Sequence, residues 1–212
     1  MSDKFAQIAS ALAATANTFH VRGWAAGTSG NFSAVVSRDP LCLAMSPSGV
    51  DKSALLAEHI LMIDEHACMV SDHRAKPSDE SPLHIRIVKE TGAACVLHTH
   101  SVWNNILSDL YAADGGLAIE GYEMLKGLEG VKTHEHREWL PILENLQDMT
   151  VLAETVGDTL SQQKNAHGFL LRRHGLYTWG SDLAQAKRHV EILEFLLEVL
   201  GRSLLLRGTP LN

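Results

Sequence analysis

The run Ala94-Cys95-Val96-Leu97-His98-Thr99-His100-Ser101 is largely apolar until it ends in two histidines one residue apart. Read as a strand, its period of two sends His98 and His100 to one face and Thr99 to the other. Two imidazoles then converge on one point, and a stiff strand loses little freedom when they take a divalent metal. A lone His-x-His pair is served equally well by ordinary hydrogen bonds, so this chemistry requires a third ligand. The best candidate lies in Phe169-Leu170-Leu171-Arg172-Arg173-His174-Gly175, where another apolar run terminates at His174 and Gly175 is expected to turn the chain.

Length and charge narrow the alternatives. At 212 residues the chain can bury one sizeable core, and no Pro-, Gly- and Ser-rich stretch divides it, so residues 1–212 read as a single domain. A formal net charge of −7 argues against a general nucleic-acid surface, so any phosphate must be held locally. Cys42, Cys68 and Cys95 are odd in number, sit in apolar surroundings and lack C-x-x-C spacing, which predicts buried reduced thiols and a cytoplasmic compartment. Met1-Ser2-Asp3-Lys4 has no signal-peptide pattern, and no apolar run approaches the ~20 residues that cross a bilayer, so no membrane partner is expected. Neither a G-x-G-x-x-G after the first strand nor a P-loop is present, which argues against dinucleotide and P-loop chemistry.

Taken in order, Phe5, Ile8, Leu12, Ala16 and Phe19 form one helical stripe that Arg22-Gly23 ends. Gly27-Thr28-Ser29-Gly30-Asn31 then gathers small donors before a strand over 32–37, and is either an oxyanion cradle or a plain turn. After a strand over 41–45, Ser46-Pro47-Ser48-Gly49-Val50-Asp51-Lys52 is a second such loop, opening a short helix through Leu55, Leu56 and Glu58. Two short strands over 60–63 and 67–70 are expected next. Lys76-Pro77-Ser78-Asp79-Glu80 then leads into a helix bearing Leu83, Ile85, Ile87 and Val88. Glu80 at that helix start is either a dipole-favoured carboxylate or a neighbour of the His98 strand.

A helix is expected over 102–110, and Glu123 follows among apolar residues. It is either an exposed helical carboxylate or a general acid/base beside a metal. His134 and His136 form a competing His-x-His pair without an apolar strand leading in. The run 147–164 is helical. A last helix from Ser181-Asp182 turns Leu183, Ala186, Val190, Leu193, Leu197, Leu200 and Leu204 inward, with Glu194, Glu198 and Arg202 outside. Irregular alternation with several hairpins predicts an α+β fold, a mainly antiparallel sheet flanked by helices.

The ordered set Gly27-Thr28-Ser29-Gly30-Asn31, Ser46-Pro47-Ser48-Gly49, Lys76-Pro77-Ser78-Asp79-Glu80, His98-Thr99-His100 and Arg173-His174-Gly175 resembles the class II aldolase/adducin family over nearly the whole chain. The resemblance implies a central antiparallel sheet with helices on both faces and one Zn²⁺ per subunit on His98, His100 and His174. It also implies substrate phosphate held by Ser29, Gly30, Asn31, Ser48, Gly49 and Ser78, and a homotetramer with active sites at subunit interfaces. Asp79 stands where aldolases of the family tend to carry a second serine. The segments 121–127, 133–142 and 172–180 look most like the branch that removes water from a methylthio-substituted ketose phosphate in methionine salvage. That branch implies Glu123 as acid/base, whereas the aldolase pattern implies Glu80. The alternatives are an aldolase or epimerase acting on another ketose phosphate, and a non-catalytic adducin-like binding domain, which need not retain three metal-binding histidines.

Overall fold

Apolar runs and hairpins build one eight-stranded sheet in a computed structural model that describes residues 3–70 and 75–208. Its strands are β1 (Asn31–Arg38), β2 (Leu41–Met45), β3 (Leu61–Asp64), β4 (Cys95–Thr99), β5 (Gly116–Glu120), β6 (Arg137–Leu143), β7 (Gly168–Leu171) and β8 (Gly175–Gly180). The spatial order is β3-β2-β1-β4-β8-β7-β6-β5, and every neighbouring pair is antiparallel except β6 with β7. The expected mainly antiparallel sheet is therefore present.

Helices α1 (Asp3–Val21) and α5 (Leu183–Gly208) cover one face, while α2 (Ser81–Thr91) and α4 (Met149–Gln162) cover the other. Helix α3 (Val102–Leu110) packs with α5 over the β5–β6 end. Strand β4 shows why its sequence is continuously apolar: Cys95 and Leu97 enter the α1/α5 core, and Val96 enters the α2/α4 core. By the same alternation His98 lies on the α2 side and Thr99 on the α5 side.

Some local expectations fail for identifiable reasons. Residues 67–70 form a turn with an isolated bridge between Ile63 and Met69, not a strand. Asp64 Oδ1 accepts from the backbone N–H groups of His66 and Cys68, each at 2.9 Å, and winds the chain before it can pair further. The short helix after Ser46–Lys52 is two 3₁₀ turns, Lys52–Ala54 and Ala57–His59, the first capped by Asp51. Cys68 is exposed, Cys95 buried and Cys42 in between, and all three thiols are free. Leu204 is exposed because the last turns of α5 extend past the core. No helix among the described residues is long and apolar enough to cross a membrane.

The largest departure is Glu194. Sequence spacing places it outside with Glu198 and Arg202, yet it is only 2% exposed, because α5 crosses the back of β4 at this point. Its Oε1 accepts from Thr99 Oγ1 at 2.5 Å and Asn104 Nδ2 at 3.0 Å, anchoring the residue between the two strand histidines. Burial raises its carboxyl pKa against the lowering effect of these hydrogen bonds. A raised folded-state pKa contributes stability that is full below the unfolded value near 4.5 and is lost as pH rises through the folded value. The Glu194→Gln protein should therefore gain thermal stability relative to wild type as pH rises through this range. Parallel melting curves of the two proteins across pH check this, and a constant difference would refute the assignment.

Candidate metal centre

His98, His100 and His174 meet. The Nε2 atom of His98 lies 2.7 Å from that of His100 and 3.3 Å from that of His174. Neighbouring groups orient two of the rings. His98 Nδ1–H donates to the Leu176 carbonyl at 3.0 Å, and His174 Nδ1–H donates to Asn145 Oδ1 at 3.1 Å, which leaves each Nε2 with its lone pair. The His98 ring also stacks on Tyr177 at 3.9 Å and 12°, and Tyr177 stacks on Phe169 at 5.0 Å and 7°. These three residues are direct partners across β4, β8 and β7, so the strand register itself builds the ladder. His100 follows β4 and is fixed through its backbone N–H, which donates to the Trp24 carbonyl at 2.7 Å.

His174 sits in the turn between β7 and β8. Gly175 was expected to turn the chain, but the left-handed residue is Arg173 at φ 53°, whose N–H donates to Ser108 Oγ at 3.0 Å. Gly175 is required for another reason. A Cβ there would lie 2.1 Å from the Thr99 carbonyl oxygen and 2.8 Å from His98 Cε1, so only glycine lets β8 approach β4 this closely.

Burial holds the His98 imidazole well below its usual pKa, and burial followed by the neighbouring His174 lowers His100 to about 4. Neutral imidazoles with converging lone pairs suit a divalent cation. Asn145→Ala removes the acceptor that orients His174 and should weaken metal binding ~10–100-fold, measured by titration against a competing chelator. Unchanged affinity would show that Asn145 does not set this geometry.

Glu80, immediately before α2, reaches the same cluster. Its Oε1 lies 3.0 Å from His174 Nε2 and its Oε2 lies 3.7 Å from His98 Nε2. Burial opposes its ionisation, but His98, His174 and the Asn31 amide outweigh that and hold the carboxyl well below the usual range. Asn31 Nδ2 donates to Glu80 and, at 3.2 Å, to Ser78 Oγ, while Asn31 Oδ1 accepts from His84 Nε2. Glu80 and His84 are thus joined through Asn31, whose amide is engaged at both ends.

The small-residue loops are tied together. Ser48 N–H donates to the Lys76 carbonyl at 3.0 Å, and the Lys52 backbone N–H donates to the Gly27 carbonyl at 3.0 Å. The buried Lys52 ammonium donates to Thr28 and Val50 carbonyls, both at 3.0 Å, and burial lowers its pKa. Sequence patterning gives this lysine no such role, because its carbonyl partners carry no side-chain signature. Ser29 Oγ is a buried oxygen without a partner among the described residues, while Ser48 and Gly49 are exposed. Gly30, at φ 73°, packs where a Cβ would lie 2.7 Å from the His98 carbonyl oxygen.

Glu123 opens a 3₁₀ turn (Glu123–Gly127), with its side chain 73% exposed. It pairs with Lys126 at 2.6 Å and approaches His134 Nδ1 at 3.6 Å, neither of them a member of the histidine cluster. The competing pair is split: His134 faces Glu123, whereas His136 faces Glu138.

The family model for the class II aldolase and adducin N-terminal domain matches residues 10–200. A methylthioribulose-1-phosphate dehydratase of Persephonella marina is 39% identical over 187 residues, covering 88% of this chain and 86% of the relative. The protein of the same name from Xanthomonas euvesicatoria is 42% identical over 188 residues, covering 88% and 85%. In fold, the chain is similar to l-fuculose-1-phosphate aldolase from Thermus thermophilus, with TM-score 0.75, 22% identity and coverage of 97% and 99%.

Proposed function

Because the chain belongs to the class II aldolase and adducin family, we propose that it is a zinc-dependent hydro-lyase of methionine salvage. It converts 5-methylthioribulose 1-phosphate to 2,3-diketo-5-methylthiopentyl 1-phosphate and water. The observation that carries the metal chemistry is the convergence of three Nε2 atoms, two of them with their tautomers fixed from behind. The names of the relatives, matched over most of both chains, support the substrate.

His98, His100 and His174 would hold the zinc. Three protein ligands would leave room for substrate, and the bound ion would supply Lewis-acid polarisation to it. Glu123 removes the C3 proton and returns a proton to the departing C4 hydroxyl, and the resulting enol relaxes to the diketone. Ser29, Ser48, Gly49 and Ser78 lie in loops bonded to one another or to the carboxylate–amide network, which supports phosphate binding there. Gly30 and Asn31 belong to the same phosphate cradle; Asn31 also orients Glu80, and Gly30 packs closely against β4.

Glu123 meets Lys126 and His134 on its own subunit, so in this reading it serves the centre of a neighbouring copy in a homotetramer. Val102, Ile106 and Leu110 form an exposed apolar stripe at i, i+4 and i+8 on α3, a surface that association would bury. A formal net charge of −7 and three free thiols suit a cytoplasmic enzyme.

The test is incubation of metal-replete protein with 5-methylthioribulose 1-phosphate and mass analysis for loss of water. Intact substrate would overturn the reading. One observation favours a second reading: Glu80, not Glu123, stands against the histidines, as expected for an aldolase or epimerase. Release of dihydroxyacetone phosphate from a ketose phosphate would select cleavage.

A further inference from the structure

Strand β6 carries a carboxylate into the interior. Glu138 has a side chain only 1% exposed and is met by His136 Nε2 at 2.8 Å, His167 Nδ1 at 2.9 Å and the His167 backbone N–H at 3.1 Å. The topology explains the meeting. His136 immediately precedes β6, His167 immediately precedes β7, and these two strands are the parallel pair, so their starting ends lie side by side.

The second ring nitrogen of His167 is committed: Nε2–H donates to the Glu129 carbonyl at 2.8 Å. A backbone acceptor of this kind orients a metal-binding imidazole and leaves the other nitrogen to coordinate. The adjacent His189 takes no part, since its Nδ1–H donates to the Trp179 carbonyl at 2.8 Å and its Nε2 accepts from the Glu129 N–H at 3.2 Å. The ligand atoms of His136, Glu138 and His167 lie within 4.8 Å of one another. The His136 and His167 side chains are 30% and 12% exposed, along the wall of a cavity of about 550 Å³ that Lys164 and Gln185 also line.

We propose that His136 Nε2, Glu138 and His167 Nδ1 form a second binding site for a zinc-class divalent cation, sharing no residue with the three-histidine centre. Two imidazoles and one carboxylate are a donor set that borderline ions take, with a fourth position open to water from the cavity. As the ion enters, the Nδ1 proton of His167 leaves to solvent, His136 exchanges its Nε2 proton for one on Nδ1, and three coordinate bonds replace the hydrogen bonds to Glu138. Zinc bonds of ~2.0–2.1 Å place tetrahedral ligands about 3.3 Å apart, so His136 Nε2 and His167 Nδ1, now 2.8 Å and 2.9 Å from Glu138 Oε2, each need to draw back from it by only about half an ångström. The ion cross-links the starts of β6 and β7, and through Glu129 it braces the segment between the Glu123 turn and β6.

The experiment is zinc uptake by chelator-stripped full-length protein, measured by equilibrium dialysis and elemental analysis. Wild type should take two equivalents per chain, His100→Ala one, His136→Gln one, and the double variant none. In the His100→Ala protein, added zinc should raise Tm, and His136→Gln should abolish that rise. Cobalt in the His100→Ala background provides a second readout, a visible absorption band lost with His136→Gln. A single equivalent in wild type that disappears in His100→Ala would overturn the proposal, as would a second equivalent that survives in the His136→Gln protein.

Discussion

Glu123→Gln should slow dehydration ~10²–10⁴-fold, the typical cost of losing a positioned general acid/base, while zinc content stays at the wild-type level. Metal retention is part of the prediction, because Glu123 pairs with Lys126 and His134 and touches none of the three histidines. Glu80→Gln makes the informative contrast. Glu80 stands beside His174 and is held by Asn31, so its replacement should disturb metal binding as well as turnover. The proposed delivery of Glu123 by a neighbouring copy makes a further demand. Glu123→Gln and His174→Ala subunits, each inactive alone, should recover turnover when unfolded and refolded together, since some sites then combine an intact triad with an intact carboxylate. Normal turnover by a zinc-loaded Glu123→Gln enzyme would end the assignment. A mixture as inactive as its parents would end the shared-site arrangement.

Gly175→Ala should cost about 3 kcal/mol of stability and weaken zinc binding together. The added methyl has no free direction: it meets the Thr99 carbonyl at 2.1 Å on one side and the His98 ring at 2.8 Å on the other. The backbone acceptor cannot swing away as a flexible side chain would. Relief requires β8 to move from β4, which also shifts Leu176, whose carbonyl orients His98, and Tyr177, on which His98 stacks. Chemical denaturation and zinc titration of one preparation check both effects. A variant as stable as wild type with unchanged affinity would show that the strands separate at little cost.

What was legible in the sequence was local. The β4 run announces a strand buried on two faces, and its alternation places His98 and His100 together. The ordered loops and His174 then supply the remaining pieces of the centre. Strand β6 was missed because it begins with Arg137 and Glu138 and pairs in parallel with β7, a non-local partner that leaves no turn signature. Glu194 was misplaced because charge spacing on α5 describes neighbours along the helix, whereas burial is decided by Thr99 and Asn104 on other elements. Asn145 and Lys52 escaped notice for a related reason: their partners are a distant ring and backbone carbonyls. At 67–70 the apolar residues suggested pairing, which stops at the single Ile63–Met69 bridge because Asp64 takes the Cys68 N–H that would extend it.

The ladder of Phe169, Tyr177 and His98 ties one coordinating ring to the pleat of three adjacent strands. That ring's plane is set when the sheet forms, before any ion arrives, so loading the centre asks for almost no ordering of this ligand. An emptied enzyme should accordingly refill at a pace governed by how often ions reach it, and the fold it presents should be the same before and after.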